Sequence, residues 1–390
     1  VPAKLDGTFN LLLASCYFQP EDSGGMLGNI VAQMPVRPHM TLLAGDQVYL
    51  DLPLFEDLPE SEPALSQFLG DKYRRNWLSE TLGIAGLHAL LTRAPALCIP
   101  DDHEFWNNYP FKQAQLPGTW AEAGRTRWSA AAQSLYEDYQ QGGPPGSAAS
   151  SWRIDIDPLR MLILDTRCRR GGDFAAAAGL MASEAKAALL AWETDLIAAL
   201  AAGKPMIGLL AAGQALFVDL PEDSAARWKD AELANYEEFD RVEGALERLA
   251  TAGVPVVFLT GDVHWGRIAE AVHMPSGRAM LYEVICSPSR LIDTPGTDQL
   301  ALVGNSLRGI FGRAETWPRH PEPPKPPSRF GRGRQFTPIK VFRRRGDQVA
   351  LVQFSRAGRG LEMQVSYHAI HADPEVARPE TAGPFPLLPY

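Results

Sequence analysis

At 390 residues and 45% hydrophobic composition, the chain is long enough to bury one large α/β core or two smaller ones. A net charge of -9 and an isoelectric point near 5.5 exclude the broad basic surface that duplex nucleic acid needs, so no stable nucleic-acid partner is expected. No apolar run of about 18 residues is present, so no transmembrane helix is expected.

In chain order, Phe9 to Ala14 reads as a buried strand ending at Ser15-Cys16, and Met40 to Ala44 as a second ending at Gly45-Asp46. A short helix fits between them within Gly25 to Met34, giving a βαβ unit with parallel strands. Glu62 to Thr92 is mostly helical with interruptions at Gly70 and Gly83. Ala96 to Ile99 is a third strand, stopped by Pro100 just before Asp101-Asp102-His103-Glu104. Ala121 to Gln140 reads as a helix, followed by the loop Gln141 to Gly146.

Trp152 to Ile156 and Arg160 to Leu164 read as strands around Asp157-Pro158, delivering Asp165-Thr166-Arg167. Ser183 is placed to cap a helix through Ala201, with Leu189, Trp192, Leu196 and Leu200 at helical spacing. Met206 to Leu210 is a strand leading to Gln214, Asn235 to Thr251 a helix, and Val254 to Leu259 the strand that presents Gly261-Asp262-Val263-His264. Five further runs, Arg267 to Val272, Ala279 to Ile285, Ile339 to Phe342, Val349 to Phe354 and Glu362 to Tyr367, read as antiparallel strands, with Arg345-Gly346-Asp347 as a hairpin turn. A Pro- and Arg-rich stretch over 313–338 is expected to be a surface excursion. Trp77, Trp120 and Trp128 are expected in the core, with the wall of a groove as the alternative. The expected fold class is α/β, two packed mixed sheets flanked by helices, in a single catalytic domain over residues 1–390.

Polar residues at strand ends are the chemical signal. Ligands of open α/β sheets bind outside the carboxyl ends of the strands, and there the loops would bring together Cys16, Asp46, Tyr49, Asp51, Asp102, His103, Asn107, Asn108, Asp262 and His264. Several carboxylates do not stay ionised at one buried point without cations, and a metal centre resolves the conflict. Carboxylate and amide oxygens suit hard ions, whereas thiolate, phenolate and imidazole suit iron or zinc, so the set suggests a mixed centre. Such a centre lowers the pKa of a bound water toward about 7 and clamps both oxygens of an in-line displacement, which makes phosphoester hydrolysis the natural reaction.

In this order, strand-GDxxY at Asp46 and Tyr49, DDHE with the asparagines after it, LDTR at Arg167 and GDVH at Asp262 and His264 resemble the PhoD-type alkaline phosphatases. These are related to purple acid phosphatases and the wider calcineurin-like metallophosphoesterases. The similarity runs from about Leu11 to Tyr367 and implies a four-layer fold of two mixed sheets flanked by helices. It also implies an iron held by Cys16, Tyr49 and His264, with Asp46 bridging to one or two calcium ions; zinc, manganese and magnesium are alternatives. Asp102 stands where related enzymes have the asparagine of a GNHE motif, and Asp262 where they have the first histidine of GHxH; both changes favour a hard ion. His103 then serves catalysis, Arg167 holds nonbridging oxygens in a bidentate fork, Asn107 contacts substrate and Asn108 is a ligand.

What the resemblance implies is a metal-activated hydroxide attacking a small-molecule or lipid phosphate ester. Monoesterase and diesterase both fit, as does phospholipase D-like or phosphotriester specificity. A non-catalytic metal-binding module on the same fold is the reading from another class, and it would usually lack His103. Two departures from the family pattern bear on substrate: no separate amino-terminal β-sandwich is expected, and Ala212-Gly213-Gln214 stands where related enzymes place a histidine. Compartment is left open between the cytoplasm and export with removal of a leader, since the chain opens on Val1 without a signal pattern. Four dispersed cysteines, Cys16, Cys98, Cys168 and Cys286, form neither a disulfide framework nor a CxxC clip.

Overall fold

A computed structural model describes residues 1–390 apart from 23, 79–85, 114, 143–148, 172–178, 218–232, 234–235, 291–335, 359, 374 and 389–390. Strand β1 (Thr8–Ala14) has apolar residues on both faces because both faces are covered: Phe9, Leu11 and Leu13 point into one core and Leu12 and Ala14 into another. Helix α1 (Met26–Gln33) carries the chain back to β2 (Met40–Ala44), which runs parallel to β1. Helices α2 (Glu62–Leu78) and α3 (Leu87–Arg93) precede β3 (Ala96–Ile99), parallel to β2. The expected break at Gly83 lies outside the described residues, whereas Gly70 sits inside α2 without ending it.

Helix α4 (Glu122–Tyr136) continues as a π-helical turn, Glu137–Gln141, capped by Gly142, and residues 143–146 of the loop expected after it lie outside the described residues. Strands β4 (Ser151–Ile156) and β5 (Leu159–Leu164) are antiparallel. After helix α5 (Ser183–Ala201), β6 (Ile207–Ala211), helix α6 (Asp240–Ala252) and β7 (Val256–Thr260) follow, with β5, β6 and β7 parallel. Ser183 is the first residue of α5 rather than its cap, a place taken by Ala182 without a side-chain bond. The expected helix from Asn235 is a 3-10 turn over Glu237–Phe239 before α6 begins.

The remaining strands are β8 (Gly266–His273), β9 (Arg278–Ile285), β10 (Phe336–Arg344), β11 (Gln348–Ala357), β12 (Gly360–Ala369) and β13 (Glu380–Leu388). One sheet has the order β13-β12-β11-β1-β2-β3 and the other β10-β8-β9-β7-β6-β5-β4. Both are mixed, and the antiparallel late strands are divided between them. Arg345-Gly346-Asp347 is therefore no hairpin: β10 pairs with β8 in the second sheet and β11 with β1 in the first, so the turn carries the chain across from one sheet to the other. Gly346, at φ +86°, has the left-handed backbone that such a tight crossing requires.

Between the sheets lies a core that includes Leu11, Leu42, Ile163, Leu209, Leu259 and Val352. Helices α1 and α3 cover the first sheet, and α5 and α6 cover the second, completing four layers. A fourth cluster packs α2 and α4 around the loops that follow β2 and β3, through Val48, Leu50, Phe105 and Trp106. Trp77 and Trp128 are buried as expected, but Trp120 is 59% exposed, its indole nitrogen donating to the Gln113 carbonyl. No described helix is long and apolar enough to cross a membrane.

Candidate metal centre

The parallel strands of the two sheets, β1 to β3 in the first and β5, β6, β7 and β9 in the second, end on the same side of the molecule, and the chain turns sharply at each of the ends that carry the motifs. Cys16, Asp46, Asn108, Asp262 and His264 all have φ between 55° and 62°. A left-handed conformation costs an L-residue about 1 kcal/mol, so five at one place are sustained only by the structure around them. The two Gly-Asp pairs have a steric cause. A Cβ on Gly45 would lie 2.7 Å from Asp101 Cβ, and one on Gly261 would overlap Ser15 and the Ala44 carbonyl. Glycine lets these strand ends approach closely, and the aspartate after each is delivered into the gap.

On one side of the gap the ligand atoms of Cys16, Asp46 and His264 lie within 4.8 Å of one another. Cys16 Sγ is 3.5 Å from Asp46 Oδ2 and accepts a hydrogen bond from Ser287 Oγ at 3.2 Å. Burial, then the charges of Asp46 and Asp262, push the thiol well above its ordinary pKa. The Tyr49 phenol is pushed up by burial, Cys16 and Asp46, and its hydroxyl is buried beside the Cys16 thiol. A buried phenol oxygen beside a thiol, an imidazole and a carboxylate is a donor set that fits a transition metal.

On the other side, carboxylate oxygens of Asp46, Asp101, Asp102 and Asp262 also fall within 4.8 Å of one another. Burial raises the Asp46 carboxyl, His103 opposes this, and Asp102, Asp101 and Glu104 raise it further. Asp101 is pushed up to about 6 by burial against the pull of Arg167. Burial works against Asp102 as well, but Arg167 and His103 hold its carboxyl below the ordinary value, so it stays an anionic donor; the donor sets fit a hard ion on this side and a transition metal on the other. Asn108 is 3% exposed, its backbone N–H bonded to Asp102 Oδ2, while Asn107 donates its backbone N–H to Asp51 Oδ2 at 2.9 Å.

Arg167 is buried among the carboxylates of the site. Only 1% exposed, it directs Nε and Nη2 to Asp101 Oδ1 and gives Nη1 to the Tyr109 carbonyl at 2.9 Å. Asp165 accepts from the backbone N–H groups of Arg167 and Cys168. At the divergent strand end, Gln214 accepts from Arg170 Nη2 at 2.7 Å. A guanidinium has no acceptor, so the Gln214 amide must turn its oxygen toward Arg170 and its NH₂ away.

His103 lies across the gap with its ring 4.2 Å from that of Tyr49. Its Nδ1 is 2.8 Å from Asp51 Oδ1, which fixes the proton on Nδ1 and leaves Nε2 for another partner. Burial alone would lower this imidazole's pKa, but Asp51, Asp102 and Asp46 raise it well above the ordinary value. Beneath the site, Glu104 accepts from the backbone N–H groups of Asp46, Gln47 and Asp101 at 3.0, 2.7 and 2.8 Å, and from Gln140 Nε2 at 3.1 Å. Glu104 thus clamps the loop after β2 to the loop after β3, and burial lifts its carboxyl to about 7 against those bonds. Sequence reasoning missed Asp101 as a member of the carboxylate group and Glu104 as the clamp. The doubled acid at positions 101 and 102 was the available signal for the first, and nothing local marks the second.

Comparison with solved structures finds one titled "Structure of PhoD", 16% identical, at a TM-score of 0.55, covering 98% of this chain and 69% of that one. Another, titled "GAP50 the anchor in the inner membrane complex of Plasmodium", is 9% identical over 96% of this chain and 88% of that one, at a TM-score of 0.39. Comparison with curated protein sequences gives no match. The sequence model of the PhoD-like phosphatases matches residues 11–301, a span that contains the strand ends described above and every candidate ligand. The chain therefore belongs to the PhoD-like phosphatase family, and is a metal-dependent phosphoric ester hydrolase.

Proposed function

We propose that the protein hydrolyses small phosphate esters with one iron held by Cys16, Tyr49, His264 and Asp46, and one or two calcium ions held by Asp46, Asp102, Asn108 and Asp262. The observation that carries this is a pair of donor sets of unlike chemistry sharing Asp46, one with a thiol and an imidazole, the other all carboxylate. When bound, such ions supply the charge that ionises a water near neutral pH and neutralises phosphoryl oxygens. The chain's own groups do the rest. His103 gives the Nε2 proton to the departing oxygen, and Asp51 holds Nδ1 so that the neutral ring keeps its orientation. Arg167 acts through Asp101, holding that carboxylate against its neighbours rather than touching substrate.

His103 and its Asp51 partner also favour an enzyme over a non-catalytic metal module, which has no use for an oriented acid. Turnover of p-nitrophenyl phosphate and of its bis-ester tests the reading and assigns the class. A higher kcat/KM for the bis-ester would favour diesters, including lipid phosphates, as substrates. No turnover of either by metal-replete protein would contradict the proposal.

A further inference from the structure

The turn that crosses between the sheets lies on the face of the candidate metal centre. Leu13 pairs with Ala350, so the start of β11 lies beside the end of β1, where Cys16 follows. Gly266 pairs with Arg344, which sets the end of β10 two residues from His264. Three contacts anchor this corner: Gln348 Nε2 donates to the Ser287 carbonyl at 2.8 Å, the Gln348 backbone N–H to the Pro288 carbonyl at 2.7 Å, and Arg290 Nη1 lies 2.6 Å from Asp347 Oδ2. Ser287 in turn accepts from the His264 backbone and donates to Cys16 Sγ. The crossing turn is thus fixed to the same residues that shape the centre.

At its tip Arg345 is exposed, and its guanidinium lies 4.2 Å over the ring of Trp265, the residue after His264. Trp265 is half-buried and packs against the outer core of the second sheet, which makes the indole a rigid platform. This cation–π contact places the guanidinium carbon over the indole, and Arg345 has no acidic partner among the described residues. In a chain of net charge -9, an unpaired cation locked in place beside an acidic centre offers a fork for an anion.

We infer that Trp265 and Arg345 form a subsite for a second anionic group, carboxylate or phosphate, on the leaving alcohol of the ester. The inference rests on the phosphoesterase reading above and narrows its substrate to doubly anionic esters. The test compares 4-carboxyphenyl phosphate with phenyl phosphate in wild type, Arg345→Gln and Arg345→Lys, all metal-replete. Arg345→Gln is expected to lower kcat/KM for the carboxylated ester about fivefold, the scale of a rim ion pair, through KM and with phenyl phosphate unchanged. Arg345→Lys, which keeps the charge but not the fork, should fall between. Equal losses on both esters, or none on either, would overturn the subsite while leaving the phosphoesterase reading intact. Failure of wild type to turn over either ester would overturn both.

Discussion

Asp46→Asn is expected to leave a folded protein that loses bound metal and about a hundred- to thousandfold of its turnover, the order lost when one charge-stabilising donor is removed from a transition state. Asparagine is close in shape to aspartate and accepts the left-handed backbone at φ 58°, so the turn after β2 should survive. What disappears is the one negative charge common to both donor sets. Stripped of metal, the variant should melt no lower than stripped wild type, because burial and the neighbouring acids already disfavour ionised Asp46. Elemental analysis, turnover and thermal melting of the two proteins check this. A variant with full metal and full turnover would sink the bridging role, and a stripped variant that melted well below wild type would make Asp46 a structural residue instead.

His103→Gln carries the second large effect. General acid catalysis is typically worth about a hundred- to ten-thousandfold, so kcat should fall by that order for an alkyl phosphate, whose alkoxide cannot leave unprotonated. For p-nitrophenyl phosphate the loss should be much smaller, since p-nitrophenolate departs without a proton. Equal losses on the two esters would mean that His103 stabilises charge on the phosphoryl group and donates no proton. The pH dependence has a definite sign. A raised imidazole pKa keeps the acid protonated at neutral pH, and its contribution is lost as pH rises through that folded value. Cations on Asp46 and Asp102 offset two of the three charges responsible, which leaves Asp51, hydrogen-bonded to Nδ1, as the carboxylate that holds the proton.

Strand ends were the legible part of this site. Strands buried on both faces appear as unbroken apolar runs, so Cys16, Asp46, Asp102, Asp262 and His264 stand out where each run stops. The glycines of the two Gly-Asp pairs are visible as motif, but their reason, the meeting of Gly45 with Asp101 and of Gly261 with Ser15, exists only in three dimensions. The same is true of Arg167. An arginine just after a strand invites a substrate role, and only the fold shows Asp101, 66 positions away in the chain, accepting from its Nε. Glu104 and Gln140 are joined by packing of the π-helical turn after α4 against the loops, which no periodicity reveals.

Two features of the late strands were hidden for other reasons. Strand β13 contains Pro384 and Pro386, residues that argue against a central strand yet are tolerated at an edge, which is where β13 lies. The turn at Gly346 has the composition of a hairpin, and local sequence does not say whether the strands on its two sides share a sheet. Most of the Pro- and Arg-rich stretch expected over 313–338 lies outside the described residues, and its last residues, 336–338, open β10.

The central claim is that two chemically unlike metal sites share Asp46. Elemental analysis of the purified protein before and after exhaustive chelation, with turnover of p-nitrophenyl phosphate followed on the same samples, tests it most directly. The account predicts one iron and at least one calcium per chain, with turnover lost on removal of calcium and restored by its return. Full turnover in protein shown to contain neither a transition metal nor a hard divalent ion would contradict it.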